Sequence, residues 1–120
     1  MALSSFADGS LFGTRLGTES PRVVALHGWG RSHQDFASSL EGLDAISIDL
    51  PGFGVSPAPL EVGGASMYAN LVSPILDICD TPVVLVGHSF GGRVAVHLAE
   101  QRPAAIGGLV LTGVPLLHRA

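Results

Sequence analysis

The sequence predicts an α/β domain: a mostly parallel sheet with helices on both faces, opening with an antiparallel hairpin. Three observations predict it. Beyond residue 20, short runs of aliphatic residues alternate with stretches of helical spacing, the pattern of strand–helix–strand units. In Arg22-Val23-Val24-Ala25-Leu26 the four residues after Arg22 are continuously apolar, without the polar alternation of a half-exposed strand, which fits a parallel strand buried on both faces. The run at residues 83–86 stops at Gly87-His88-Ser89-Phe90-Gly91-Gly92, and helical spacing begins at once with Arg93-Val94-Ala95-Val96-His97-Leu98-Ala99. That is a buried strand turning sharply into a helix, with a serine at the corner.

In chain order, Asp8-Gly9 lies between two short runs, 3–6 and 11–16, and reads as a hairpin turn. The strand at 22–26 is ended by His27-Gly28-Trp29-Gly30. Ser32 then stands where a helix N-cap belongs, with Asp35, Phe36, Ser39 and Leu40 continuing at helical spacing until Gly42. Residues 45–48 form the next strand, ended by Asp49-Leu50-Pro51-Gly52-Phe53-Gly54. Residues 55–66 are rich in proline, glycine and serine and read as a loop. Met67, Leu71, Ile75, Ile78 and Cys79 then predict an amphipathic helix over 67–80, with those residues in the core. Pro74 requires that helix either to kink or to start late. The strand at 83–86 leads into a helix over 91–101, which Pro103 ends. Residues 106–112 read as one more buried strand, left through Gly113-Val114-Pro115. A right-handed crossover is expected for each parallel connection. No internal repeat or domain boundary is visible.

Composition narrows the function classes. A chain of 120 residues, 47% hydrophobic and 13% charged, holds one core and not two. A formal net charge of −4, with six basic residues scattered along the chain, argues against a nucleic-acid partner or an anionic membrane surface. Cys79 is the single cysteine, so no internal disulfide or thiolate metal site can form. The histidines lack the spacing of a zinc site, and the glycine loops lack the phosphate-cradling patterns of nucleotide folds. No cofactor is expected. The N-terminus lacks the basic and apolar regions of a signal peptide. The most apolar stretch, residues 104–117, is too short and too interrupted by glycine and proline to cross a bilayer. A cytoplasmic protein without a membrane span is the expectation, with its oligomeric state open.

At the corner, Ser89 is presented at the tip of a tight turn. The backbone N–H groups of the helix start point toward the same place. A serine held so can act as a nucleophile, and the adjacent amides can stabilise the oxyanion it creates. Gly87 and Gly91 suit a turn that crowds strand against helix.

His27-Gly28-Trp29-Gly30, Asp49-Leu50-Pro51-Gly52-Phe53-Gly54-Val55-Ser56 and Gly87-His88-Ser89-Phe90-Gly91-Gly92 resemble the α/β-hydrolase superfamily, in particular its esterase and lipase branch. The resemblance runs from the opening hairpin to the last strand. It implies that Ser89 is the nucleophile and that the backbone N–H groups of Trp29 and Phe90 form the oxyanion hole, each able to supply roughly 3–4 kcal/mol. His27, Gly28, Gly87, His88 and Gly91 would support the site. The implied partner is a small-molecule substrate with an ester or related carbonyl bond.

The resemblance also implies a triad in the order serine, acid, histidine, and here the chain departs from it. After Ser89 stand only His97, Glu100 and His118. His97 and Glu100 lie along the same helix, pointing away from the corner, and His118 is near the chain end. The expectation is therefore the N-terminal part of a longer hydrolase, an incomplete α/β-hydrolase fold without lid or final strands, and inactive alone. Other chemistries share these parts, among them acyltransferase and haloperoxidase reactions, and so would a non-catalytic binding or signalling protein on the same scaffold. Of the remaining polar residues, His27 is expected to bond within its loop and hold the oxyanion amide. His88 is expected to pack away from Ser89, His33 to be a solvated first-turn residue, and Asp49 to cap loop amides.

Overall fold

The computed structural model describes residues 3–114. The strands are β1 (Leu3–Phe6), β2 (Leu11–Leu16), β3 (Val23–Leu26), β4 (Ala45–Asp49), β5 (Val83–His88) and β6 (Ile106–Thr112). The helices are α1 (Ala65–Val72) and α2 (Phe90–Gln101). The strands form one sheet in the order β1-β2-β4-β3-β5-β6. β1 and β2 are an antiparallel hairpin, β2 joins β4 antiparallel, and β3, β4, β5 and β6 pair parallel. The predicted α/β class, a mostly parallel sheet opening with an antiparallel hairpin, is therefore the one observed, but of the helices expected on both faces, α1 and α2 share one.

Side chains alternate across the pleat, and the two faces are covered differently. Val24, Leu26, Ile46, Ile48, Val83 and Leu85 face α1 and α2 in the main core. Val23, Ala25, Ala45 and Val86 face the other way, against Phe36 and Leu40. That second face is covered by a single 3₁₀ turn (His33–Phe36) followed by further turns. The helix expected over 32–42 is thus shortened. Ser32 does cap it, accepting from the Gln34 N–H, but Ser38 and Ser39 follow, residues whose side chains compete for backbone hydrogen bonds.

The helix expected over 67–80 starts earlier, at Ala65, and becomes 3₁₀ over Ser73–Ile78. Pro74 has no N–H to give to the carbonyl four residues back, so the α-helix stops there. The buried stripe is Ala65, Tyr68, Ala69, Val72, Ile75 and Leu76. Of the five residues expected in the core, Ile75 is buried and Met67 and Cys79 are half-buried, whereas Leu71 and Ile78 are exposed. The buried stripe keeps helical spacing through Pro74, and Met67 and Leu71 lie one residue out of phase with it, beside the buried Tyr68 and Val72. β6 is also corrected: it is half-exposed, with Leu109 and Val110 open to solvent.

Strand order places the site. From β3 the chain moves to β4 on one side, and from β5 to β6 on the other. The loops leaving β3 and β5 therefore diverge, and they open a crevice at the carboxyl ends of two adjacent strands. Leu26 and Gly87 are partners in register there. Trp29 lies three residues past the first, and Ser89 two past the second.

Candidate active site

Ser89 sits between β5 and α2 with φ +53° and ψ −118°, a conformation that costs a non-glycine residue about 1–3 kcal/mol. It is half-buried and reachable from solvent. Its N–H donates to the Thr112 carbonyl (2.9 Å), and its own carbonyl accepts from Gly92 and Arg93. The backbone is thus bonded on both sides while the hydroxyl makes no capping bond to the helix. The turn is this tight because its glycines allow it. A Cβ on Gly87 would lie 2.5 Å from the Gly92 Cα, and one on Gly91 would collide with the carbonyl oxygens of Leu26 and His27. Gly91 lets the start of α2 rest on the end of β3, which brings the two loops together.

The β3 loop arrives beside the serine. A Cβ on Gly28 would touch the Ser89 Cβ at 3.5 Å. A turn follows, closed by the Arg31 N–H on the Gly28 carbonyl (3.0 Å) with Gly30 at φ +77°, the left-handed position such turns reserve for glycine. His27 is wholly buried. Its Nδ1–H donates to the Gly28 carbonyl (2.7 Å), and its Nε2 accepts from the Leu50 N–H (2.9 Å). Both nitrogens are committed in the neutral tautomer, and burial pushes the ring's pKa below the ordinary histidine value despite the Gly28 bond. The Gly28 carbonyl therefore accepts two hydrogen bonds. In a trans peptide the N–H points opposite the carbonyl, so these bonds also set the direction of the Trp29 N–H. Among the described residues, neither the Trp29 nor the Phe90 N–H has an acceptor.

The rim is aromatic. Trp29 meets Phe90 edge-on at 5.1 Å between ring centroids, Phe53 at 4.8 Å and Tyr68 at 6.1 Å, and Tyr68 meets Phe90 at 5.2 Å. Tyr68 and Phe53 escaped the sequence reading. Tyr68 lies beside Met67, which the spacing to Leu71 put on the buried face instead, and Phe53 lies in a loop with no periodicity to orient it.

The other histidines are held elsewhere. His88 is exposed rather than packed, its Nδ1 bonded to the Thr112 hydroxyl (2.8 Å) on β6. His97 lies on α2, 3.5 Å from Glu100. His33 is not solvated: its Nδ1 bonds Asp49 at 2.8 Å. Asp49 is buried and caps loop amides as expected, accepting from the N–H groups of His33 (2.7 Å) and Val55 (3.0 Å). Burial alone would raise its pKa, but the bonds from Val55 and His33 outweigh it and hold the carboxyl below the usual range. Among the described residues no histidine bonds Ser89, and no cluster of metal-ligating side chains occurs. His118 lies outside the described residues.

A strained serine thus stands at a strand–helix corner, with the Trp29 and Phe90 amides unpaired among the described residues and an aromatic rim beside it. Residues 21–119 match the family model for the alpha/beta hydrolase fold, and the chain belongs to that family. It is 36% identical over 111 residues to an esterase of Mycobacterium tuberculosis, covering 88% of this chain and 37% of the relative. It is 40% identical over 104 residues to a lipase of the same organism, covering 81% and 39%. It is 38% identical over 106 residues to a pimeloyl-[acyl-carrier protein] methyl ester esterase of Chromobacterium violaceum, covering 85% and 40%. The solved structure of a Mycobacterium tuberculosis esterase superposes with a TM-score of 0.82 at 29% identity, over 92% of this chain and 39% of that one. The chain thus spans about two fifths of the length of these relatives. No helix among the described residues is long and apolar enough to cross a membrane.

Proposed function

We propose that the whole protein is a serine hydrolase that cleaves esters of small molecules through an acyl-enzyme on Ser89. The observation that carries this reading is the Ser89 backbone, held at φ +53° where a turn serine without a task would relax. Ser89 Oγ attacks the ester carbonyl. The carbonyl oxygen, now negative, accepts from the Trp29 and Phe90 N–H groups. The alcohol leaves, water attacks the acyl carbon, and the acid departs. The proton of the Ser89 hydroxyl passes to a histidine oriented by an acid, and on this reading both belong to chain beyond residue 120. The length of the relatives supports that assignment, as does the engagement of His27, His33, His88 and His97 with other partners. The aromatic rim suits an apolar acyl or alcohol group, and no cofactor enters the steps. The names of the relatives, an esterase, a lipase and a methyl ester esterase, support the reaction class.

A fluorophosphonate probe tests the reading on the whole protein. Covalent labelling and ester turnover are expected, and Ser89→Ala is expected to remove both. Labelling or turnover that persists in Ser89→Ala overturns the assignment of the nucleophile.

A further inference from the structure

We propose that the His33–Asp49 pair, a half-buried ring on a buried carboxylate, is a positioning pair for the Trp29 amide, anchoring the far end of the 27–33 loop as His27 anchors the near end. The proposal rests on Trp29 as an oxyanion donor. It extends the machinery to two residues that touch no reacting atom.

The loop from β3 is pinned at both ends by consecutive residues of one neighbouring segment. At the near end, the Leu50 N–H donates to His27 Nε2 (2.9 Å). At the far end, one Asp49 carboxylate oxygen takes both the backbone N–H of His33 (2.7 Å) and its ring Nδ1–H (2.8 Å). Ser47, two residues earlier on β4, donates its hydroxyl to the His33 carbonyl (2.7 Å). His33 therefore spends its N–H, its carbonyl and its ring on the end of β4. Midway, the Trp29 ring meets Phe53 of the same segment.

The anchor is itself immobile. The second Asp49 oxygen accepts from the Val55 N–H (3.0 Å), and the carboxylate is fully buried. The chain wraps it so closely that a Cβ on Gly54 would enter the carboxylate. A carboxylate with three N–H donors cannot swing without stranding one of them. Between the anchors the loop backbone has one hydrogen bond of its own, the turn from Gly28 to Arg31, and the Arg31 side chain reaches forward to Asp35 (2.8 Å). Releasing the far end leaves the loop to pivot about His27, and the Trp29 N–H moves with it. Misplacement of a catalytic group by an ångström can cost on the order of 100-fold in rate. An oxyanion donor acts on the transition state more than on the bound ester, so the loss falls on kcat.

The test is turnover of p-nitrophenyl butyrate by the whole protein. His33→Leu removes the ring bond, and the expected result is a fall in kcat on the order of 10- to 100-fold with KM within about twofold. His33→Asn places a side-chain N–H where the ring Nδ1–H stood, and kcat is expected to recover most of that loss. Ser47→Ala, a milder change, frees only the His33 carbonyl; a smaller fall in kcat at constant KM is expected, which keeps the test open if His33→Leu does not fold. Unchanged kcat in the folded variants, a loss carried by KM, or failure of His33→Asn to recover overturns the proposal. Ser89→Ala separates the two readings. If it retains turnover, the nucleophile assignment fails and the clamp with it. If it loses turnover while the loop variants do not, only the clamp fails.

Discussion

At the scale of single residues, strain and burial are concentrated at few places. Ala7 and Asp8 carry φ of +51° and +55° in the turn between β1 and β2, far from the crevice, where left-handed backbone costs a non-glycine residue about 1–2 kcal/mol. Ala7→Gly is therefore expected to stabilise the fold by about 0.5–1 kcal/mol after glycine's greater unfolded-state entropy is deducted, measured by urea denaturation. The buried titratable groups set an acid limit. Asp49 titrates below the ordinary carboxylate value when folded, so the unfolded chain takes up its proton first as pH falls. Its stabilisation is complete above the unfolded value, about 3.9, and is lost below it, down through the lowered folded value. Burial lowers the His27 pKa as well, so the unfolded chain protonates first below about pH 6.5, and stability declines from there toward the folded value. Denaturation curves between pH 7 and pH 3 are expected to show both declines; Asp49→Asn is expected to be less stable at neutral pH and to lose the lower one. His33 is the residue the sequence hid. Its partner is 16 positions away and meets it only through the pairing of β3 with β4, and no local pattern signals that.

At the scale of elements, strands were legible whether or not they are buried. All six could be placed within two residues, the half-exposed β1 and β6 included, because short apolar runs bounded by turn residues mark them, and the corner at Ser89 because glycines flank it. Segments where backbone chemistry overrides side-chain pattern were misplaced. The run after Ser32 has helical spacing but serine-rich turns, and the helix before β5 becomes 3₁₀ at Pro74 and buries Ala65, Tyr68, Ala69 and Val72, a stripe of small and aromatic residues one step out of phase with Met67 and Leu71. The contact between α2 and β3 yields a sharp contrast. Gly91→Ala would drive a methyl into the carbonyls of Leu26 and His27, backbone atoms that cannot give way. It is expected to cost about 3 kcal/mol or more, the upper range for overpacking. Gly108→Ala on β6, whose new methyl would meet only the Val84 side chain at 3.7 Å, is expected to change stability by less than about 1 kcal/mol. Thermal unfolding of the pair checks both.

At the scale of the molecule, the sheet has two edges among the described residues, β1 at one and β6 at the other. The hairpin covers the β4 edge, whereas β6 pairs only with β5 among the described residues and shows Leu109 and Val110 to solvent. An apolar open edge is a template for pairing with another chain. The 120-residue chain alone is expected to self-associate, and Val110→Lys to raise its monomeric fraction in light scattering. The chain also holds a single indole, and it stands on the rim of the crevice with 61% of its surface exposed, edge-on to Phe53, Tyr68 and Phe90. Its emission is a built-in reporter. Any molecule that settles over the corner serine dries that ring and shifts its fluorescence to the blue. Affinities for candidate esters can thus be read by optical titration, without a label and before any turnover is known.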